Sequence, residues 1–499
     1  MLPLLGKRAN MPVAALPLLA ALTPPEDHVA IIDENVEVID FERCARADIV
    51  GVTGMVVQRQ RMREIVLELK KRNVFTVVGG PWVSVEEASF SQLADAIFVG
   101  EAEGTWPQFL DDWKKGKAAR RYEQAEKSDM TQVPAPRLGL LKIDRYVFGN
   151  VQFSRGCPFQ CEFCDIIVML GRRPRLKTSQ QILAELDQLR AHKLLQVFIV
   201  DDNFIGNKKA IKHILRDIIR WQQANGFPLE FFTEASLDLA DDAELMQLMV
   251  EANINGVFVG IESTSEESLR ETKKLQNLRP GGSMVDKIRR IQDAGMDVWG
   301  GMIIGFDHDD EGTFEAQEEF VRAARVSTVL VGMLSAIPKT PLYARLAAAG
   351  RLDDKENRYG TNIVPLRMSR EALSGGYVRL MADLYEPNAY FDRLDNLVLA
   401  GHIEIDRAWQ QYAARHPFRR HGRHARIWLE TAVVFVRFLS RLPDRTLRSI
   451  YWQRTWHLLR TRREPSIFKL YAIKCAMHYH LHQLARTLQD RNRPVINTY

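Results

Sequence analysis

Cys157-Pro158-Phe159-Gln160-Cys161-Glu162-Phe163-Cys164 places three cysteines within eight residues, directly after a β-like run over residues 148–154. Three thiolates at this spacing are one short of the set that closes an iron-sulfur cubane, so one iron would stay open to a small ligand. The logic is that of a catalytic zinc, which keeps one position free where a structural zinc does not. Zinc itself is the alternative, because Cys-x2-Cys pairs are common zinc ligands, but no nearby Cys or His offers a fourth ligand at close spacing. Structural cysteines spaced by chance are the other alternative.

Outward from the cysteines the chain reads as repeated βα units. Strand-like runs cover 148–154, 196–201, 229–234, 256–262, 297–304 and 328–336, with helical periodicity between them, as at 180–192 and 284–295. Six such units predict a partial (β/α)6 TIM-like barrel whose site lies at the carboxyl ends of the strands. Those ends carry chemistry. Asp201-Asp202-Asn203-Phe204 suits an ammonium group, although an Asp-Asp-Asn turn is also ordinary helix capping. Glu234 with Ser236, and Glu262 with Ser263, place a carboxylate and a hydroxyl where ribose hydroxyls could be held. Gly300 to Asp307 is rich in small residues that let a ligand lie against the backbone.

Upstream, runs at 29–33, 49–53, 76–79 and 96–100, with a helix over 58–72, follow the grammar of a doubly wound parallel sheet that binds ligands beyond its carboxyl ends. Thr53-Gly54-Met55, Gly79-Gly80-Pro81 and Gly100-Glu101-Ala102-Glu103 occupy those ends, so Thr53, Gly79, Gly80, Gly100 and Glu101 are binding candidates. The expected organisation is an α/β domain over 1–113, a polar linker over 114–145, the barrel over 146–345 and a mostly helical domain over 346–499.

Five cysteines in 499 residues make no disulfide framework, and a clustered set of this kind needs reduced thiols, so a cytoplasmic setting is expected. Cys44 and Cys475 read as small buried hydrophobes. Lys7 and Arg8 before the apolar stretch 11–22 imitate a signal peptide, but the stretch leads straight into the 29–33 run and reads as a first helix. No apolar run reaches the roughly 18 residues that span a bilayer. The net charge of +5 hides an asymmetry: residues 401–499 hold 19 Lys and Arg against 6 Asp and Glu, together with Trp409, Trp428, Trp452 and Trp456. Such a tail suits peripheral contact with a membrane or an acidic partner, or a solvated helical face; nucleic acid is not expected. On a helix Cys475, His478 and His482 share a face, which without a carboxylate partner reads as ordinary helix surface more readily than as a metal site.

The Cys-x3-Cys-x2-Cys loop, followed by Gly260-Ile261-Glu262-Ser263 and Lys274-Leu275-Gln276-Asn277 on successive units, resembles the radical S-adenosylmethionine (SAM) enzymes. With an α/β domain before the barrel and helices after it, the chain is similar to the cobalamin-binding branch, and to a subgroup that includes hopanoid methylases and pigment methyltransferases. The resemblance implies a 4Fe-4S cluster on Cys157, Cys161 and Cys164, SAM held by Asp202, Glu234, Glu262 and Ser263, and cobalamin at the carboxyl ends of the first domain. It implies methyl transfer to an unactivated carbon of a bulky, apolar or lipid-like metabolite, with a reductase or flavodoxin-type electron donor. Other radical chemistry without methyl transfer, such as cyclisation or rearrangement, and an iron-sulfur sensor or electron carrier are the alternatives. Two departures stand out. There is no Asp-x-His-x-x-Gly sequence to ligate cobalt from below, and the opening apolar strand of the usual cobalamin domain is missing, which is expected to expose a sheet edge.

Overall fold

A computed structural model describes residues 2–353, 359–401, 403–490 and 495–497. The chain forms two parallel sheets and a helical region. In the first sheet, β1 (Val50–Thr53), β2 (Thr76–Gly79), β3 (Ala96–Val99) and β4 (Arg121–Glu123) pair in the order β1-β2-β3-β4, all parallel. Alternate residues of β2 and β3 feed two cores: Val78, Ile97 and Val99 meet Met62 and Val66 on one face, while Val77 and Phe98 meet Phe109 and Tyr122 on the other. A sheet covered on both faces explains why these strands read as continuous apolar runs.

Two expectations for this domain are corrected. Residues 29–33 form no strand; Asp33 instead turns inward and accepts from Tyr146 Oη at 2.8 Å. β1 is therefore the sheet edge, with Gly51 exposed. At the other edge β4 lies inside the stretch read as linker, because only Tyr122 of its three residues is buried, stacked on Phe98 at 5.3 Å between exposed Arg121 and Glu123.

The second sheet runs β12-β11-β10-β9-β8-β5 with every neighbouring pair parallel: β5 (Gly149–Val151), β8 (Gln196–Ile199), β9 (Glu230–Ala235), β10 (Ile254–Glu262), β11 (Asp297–Ile304) and β12 (Thr328–Met333). Helices alternate with the strands, which makes it the open partial barrel that the sequence predicts. Val257, Val259 and Ile261 of β10 are wholly buried, each contributing about 1.5–3 kcal/mol. The run read as one first strand is split. Asp201 takes Phe153 N–H and Ser154 Oγ, both at 2.7 Å, and this turns the chain out of β5 into β6 (Ser154–Arg155), which pairs antiparallel with β7 (Arg175–Leu176).

The helices from Arg370–Leu384 to Pro465–Leu488 meet the barrel at the amino ends of its strands. Lys474 Nζ reaches Asp297 at 2.6 Å and Thr328 at 2.9 Å, Lys469 reaches Glu230 at 2.6 Å, and Asp406 N–H reaches Asn255 at 3.1 Å. The cysteine rim lies at the other end. There, Leu342 and Leu346 of the Pro341–Ala348 helix, with Ile363, close over Cys161, Phe163 and Phe306.

Candidate functional site

The cysteine loop is held by its neighbours rather than by regular structure. Gly156 adopts φ +94°, and a Cβ there would meet the backbone oxygens of Gly171 at 2.9 Å and Arg173 at 3.0 Å, so glycine is required. Its N–H donates to Asp202 Oδ2 at 2.8 Å, and Cys157 N–H donates to Gly171 O at 3.2 Å. Between the second and third cysteines, Glu162 N–H donates to Thr272 O at 2.9 Å and Leu342 N–H donates to Glu162 O at 3.1 Å. The Glu162 carboxylate pairs with Arg345 at 2.7 Å, which also takes Glu271 at 2.7 Å and Asp307 at 2.5 Å. Burial, then the nearby Asp307 charge, pushes Glu271 up to about 7.

The three thiols are free, Cys161 buried and the other two half-buried. Burial pushes the Cys157 and Cys164 thiols up, a cost that coordination to iron would remove because the ligand is the thiolate. Two amide donors face the sulfurs: Gln276 Nε2 lies 3.6 Å from Cys161 Sγ, and Asn203 Nδ2 lies 3.9 Å from Cys157 Sγ. Amide donors on sulfur are a usual means of tuning an iron-sulfur cluster. Among the described residues no three His, Cys, Asp or Glu side chains converge as a single-ion site, these cysteines included. A cubane with one open iron uses three cysteines, one per iron, whereas zinc would want a fourth ligand at close spacing.

The carboxylates sort into different tasks. Asp201 is a buried anchor for the turn after β5, and Asp202 gives one oxygen to Gly156 N–H; burial pushes both up, Asp201 to about 7. Glu234 at the end of β9 has no side-chain hydrogen bond among the described residues. Burial, followed by the charges of Asp202, Asp201 and Glu262, pushes it up to about 7. Such a group seeks a cation or a hydroxyl donor. Glu262 sits at φ +66°, where Ser263 N–H reaches back to Ile261 O at 2.9 Å, a conformation costly for a residue with a Cβ. Its carboxylate pairs with buried Lys274 at 2.6 Å, and despite the opposing effect of burial this charge, with that of Cys161, holds the lysine pKa up. Ser263 is buried and accepts from Ser265 N–H at 3.1 Å. Asn277 Nδ2 ties the strand end through Gly260 O and Ile261 O, at 3.1 and 2.9 Å. Gln276 Oε1 and Asn277 Oδ1 are buried and have no partner among the described residues.

The carboxyl end of β3 meets this rim. Glu101, expected at a cofactor, has both oxygens engaged: it pairs with Arg155 at 3.0 Å and Arg175 at 2.9 Å and accepts from Ser128 N–H at 2.9 Å. Against its burial, Arg175, Ser128 N–H and Arg155 hold Glu101 below the usual carboxylate range. It is the strut between the sheet and the cysteine loop, a role that no local sequence pattern of either arginine announces. Gly80 at φ +99° packs on Thr53, whose Oγ1 would lie 2.2 Å from an added Cβ, and Gly79 packs on Phe98. Gly100, at φ +79°, donates to Ser84 Oγ at 2.9 Å, and an added Cβ there would meet open space. Met55 and Val57, just past β1, are exposed.

Residues 151–320 match the radical SAM superfamily, and residues 340–493 match a domain of unknown function, DUF4070. An uncharacterized methyltransferase of Synechocystis sp. is 41% identical over 401 residues, covering 79% of this chain and 74% of the relative. The chain belongs to the radical SAM superfamily. The hopanoid C-2 methylase of Rhodopseudomonas palustris is 35% identical across 78% of this radical SAM chain and 73% of its own length. Among solved structures, the radical SAM methyltransferase TsrM of Kitasatospora setae, with cobalamin and a 4Fe-4S cluster bound, shares the fold. Its TM-score is 0.61 over 84% of this chain and 99% of its own, at 16% identity. Membership makes the chain a radical SAM enzyme, for which the cluster and SAM are implied, and several of its named relatives are methyltransferases or methylases.

His478 is accounted for by the protein itself. Its Nδ1 lies 2.6 Å from Tyr451 Oη and its Nε2 3.1 Å from Tyr385 O, while burial pushes its pKa down to about 3. Both ring nitrogens are therefore committed, as a core histidine's are.

Proposed function

We propose that this radical SAM enzyme is a cobalamin-dependent C-methyltransferase acting on an unactivated carbon of a bulky, apolar or lipid-like small molecule. The observation that carries this reading is the loop of three thiols with Asp202, Glu234 and the Glu262–Lys274 pair at successive strand ends, on the barrel rim tied to the carboxyl end of β3. Relatives named as methylases and methyltransferases support methyl transfer. Cys157, Cys161 and Cys164 would hold the cluster; Asp202, Glu234, Glu262 and Ser263 would hold SAM; Thr53, Gly79, Gly80 and Gly100 would border cobalamin, with Glu101 fixing the wall rather than touching it. When bound, the cluster with SAM supplies a hydrogen-abstracting radical, and cobalamin carries the methyl group.

The chain's own residues bind and orient. Glu234 would take a cation or a hydroxyl donor, Lys274 pairs with Glu262 at 2.6 Å, and Gln276 and Asn203 present N–H donors to the sulfurs. The half-buried, wholly apolar helix Ile166–Met169 lies beside Pro81–Val85 of the first domain and would exclude water from an apolar substrate. Electrons would come from an external reductase or flavodoxin-type donor. A second reading, radical chemistry without methyl transfer, is favoured by the committed oxygens of Glu101 and the open β1 edge. Anaerobic turnover of the reconstituted enzyme with methyl-labelled SAM and an apolar metabolite extract separates the two. Label in an extractable product supports methyl transfer; 5'-deoxyadenosine with no labelled product supports the second reading.

A further inference from the structure

The helix Pro417–Arg441 buries Ile427, Phe435, Phe438 and Leu439 against its neighbours, yet its outer face is apolar as well. Phe418 is 94% exposed, Leu429 67%, Val436 57% and Val433 40%. With 3.6 residues per turn, Phe418, Ala425, Leu429, Val433 and Val436 fall on one stripe about 100° wide, opposite the buried face of a helix about 37 Å long. Single exposed apolar residues are normal, but a continuous stripe along a helix marks an interaction surface.

The surroundings of the stripe are strongly basic. Residues 415–463 contain thirteen arginines and two carboxylates, Glu430 and Asp444. Arg437, Arg441 and Arg445, at the turn into the helix Arg445–Thr461, are exposed and have no carboxylate partner among the described residues. That second helix exposes Trp452 and Trp456, stacked at 6.2 Å, with Arg460 Cζ 5.2 Å from the Trp456 ring centroid. Aromatic and aliphatic side chains beside unpaired arginines match the layering of a bilayer surface, apolar below and phosphate above. Nucleic acid would satisfy the arginines but would leave the stripe in water.

We propose that the hairpin of Pro417–Arg441 and Arg445–Thr461 docks on an anionic lipid bilayer, the stripe entering the headgroup boundary and the arginines meeting lipid phosphates. No helix among the described residues is long and apolar enough to cross a membrane, so the contact is with the surface. Arg423 of the same hairpin reaches Glu230 at the amino end of β9, at 3.2 Å. Docking therefore uses the barrel's amino-rim side and anchors the enzyme without pressing the cysteine rim onto the lipid. It stands independently of the reaction assigned above.

Co-sedimentation of the full chain with phosphatidylcholine vesicles and with phosphatidylcholine/phosphatidylglycerol vesicles tests this. The expected result is partition onto the anionic vesicles at least tenfold above the neutral ones, reduced by high salt. Leu429→Asp/Val436→Asp and, separately, Arg437→Glu/Arg441→Glu/Arg445→Glu should each lower it at least tenfold with circular dichroism unchanged. All five positions are solvent-facing, so the two variants report independently on the apolar and ionic contributions. Equal binding to both vesicle types, or variants that bind like the parent, overturns the proposal. So does a protein that ignores vesicles but self-associates through the stripe, with Leu429→Asp/Val436→Asp converting it to monomer.

Discussion

Glu234 is the most informative single residue, because among the described residues its side chain has no hydrogen bond or ion pair and burial outweighs the charge of Lys274. Burial and the neighbouring carboxylates push its carboxyl up to about 7, against about 4.3 when unfolded. The folded state therefore holds the proton more tightly, and this group's contribution to stability is present at low pH and lost as pH rises through 7. Glu234→Gln removes that dependence. In the cofactor-free protein its stability advantage over the parent should widen by about 2 kcal/mol between pH 5 and pH 8 in urea titrations, and an advantage that stays constant contradicts the assignment. Gln276 makes a second case. Its donor contact to Cys161 Sγ stabilises negative charge on sulfur, so Gln276→Leu should shift the cluster to lower potential in an EPR-monitored redox titration. An unmoved potential would show the contact to be packing only.

At the scale of elements, the cysteine loop is built by backbone contacts that tolerate little change. Gly156→Ala forces a Cβ against two carbonyl oxygens at φ +94°, and should cost about 1–3 kcal/mol and lower iron retention after reconstitution. Full iron at parental stability would refute the placement of Cys157 by this turn. Long strands such as β10 and β11 were legible because apolar periodicity ran their whole length and ended in Glu262 and in Gly305-Phe306. β4 was not, since a three-residue edge strand with one buried side chain has no period to read. Residues 29–33 looked like a strand because they are apolar, but strand pairing needs a neighbour, and Asp33 found Tyr146 instead. The three cysteines proposed to hold the cluster were picked out by their spacing alone. The role of Glu101 was not, because its arginine partners lie more than fifty residues away in sequence.

For the whole molecule, Glu101 and Lys474 make two of the contacts that join the parts. Glu101 links the first sheet to the cysteine loop, and Lys474 fastens the helical region beneath the barrel. Lys474 is fully buried on Asp297, so Lys474→Met leaves a buried carboxylate without its cation and should cost about 3–5 kcal/mol in chemical denaturation. Lys474→Met/Asp297→Asn should regain most of that loss, and a double variant no better than the single one contradicts the pairing. The same architecture sets the tail under the amino rim, so the basic helices do not form the mouth of the site, whatever surface they dock on. What remains central is whether the two facing carboxyl rims take up two cofactors. Anaerobic reconstitution with iron, sulfide and hydroxocobalamin, followed by desalting and metal counts, measures this directly. About four iron and one cobalt per chain is the predicted result; iron without cobalt would contradict the cobalamin-dependent methyltransferase and leave a radical SAM enzyme of another kind.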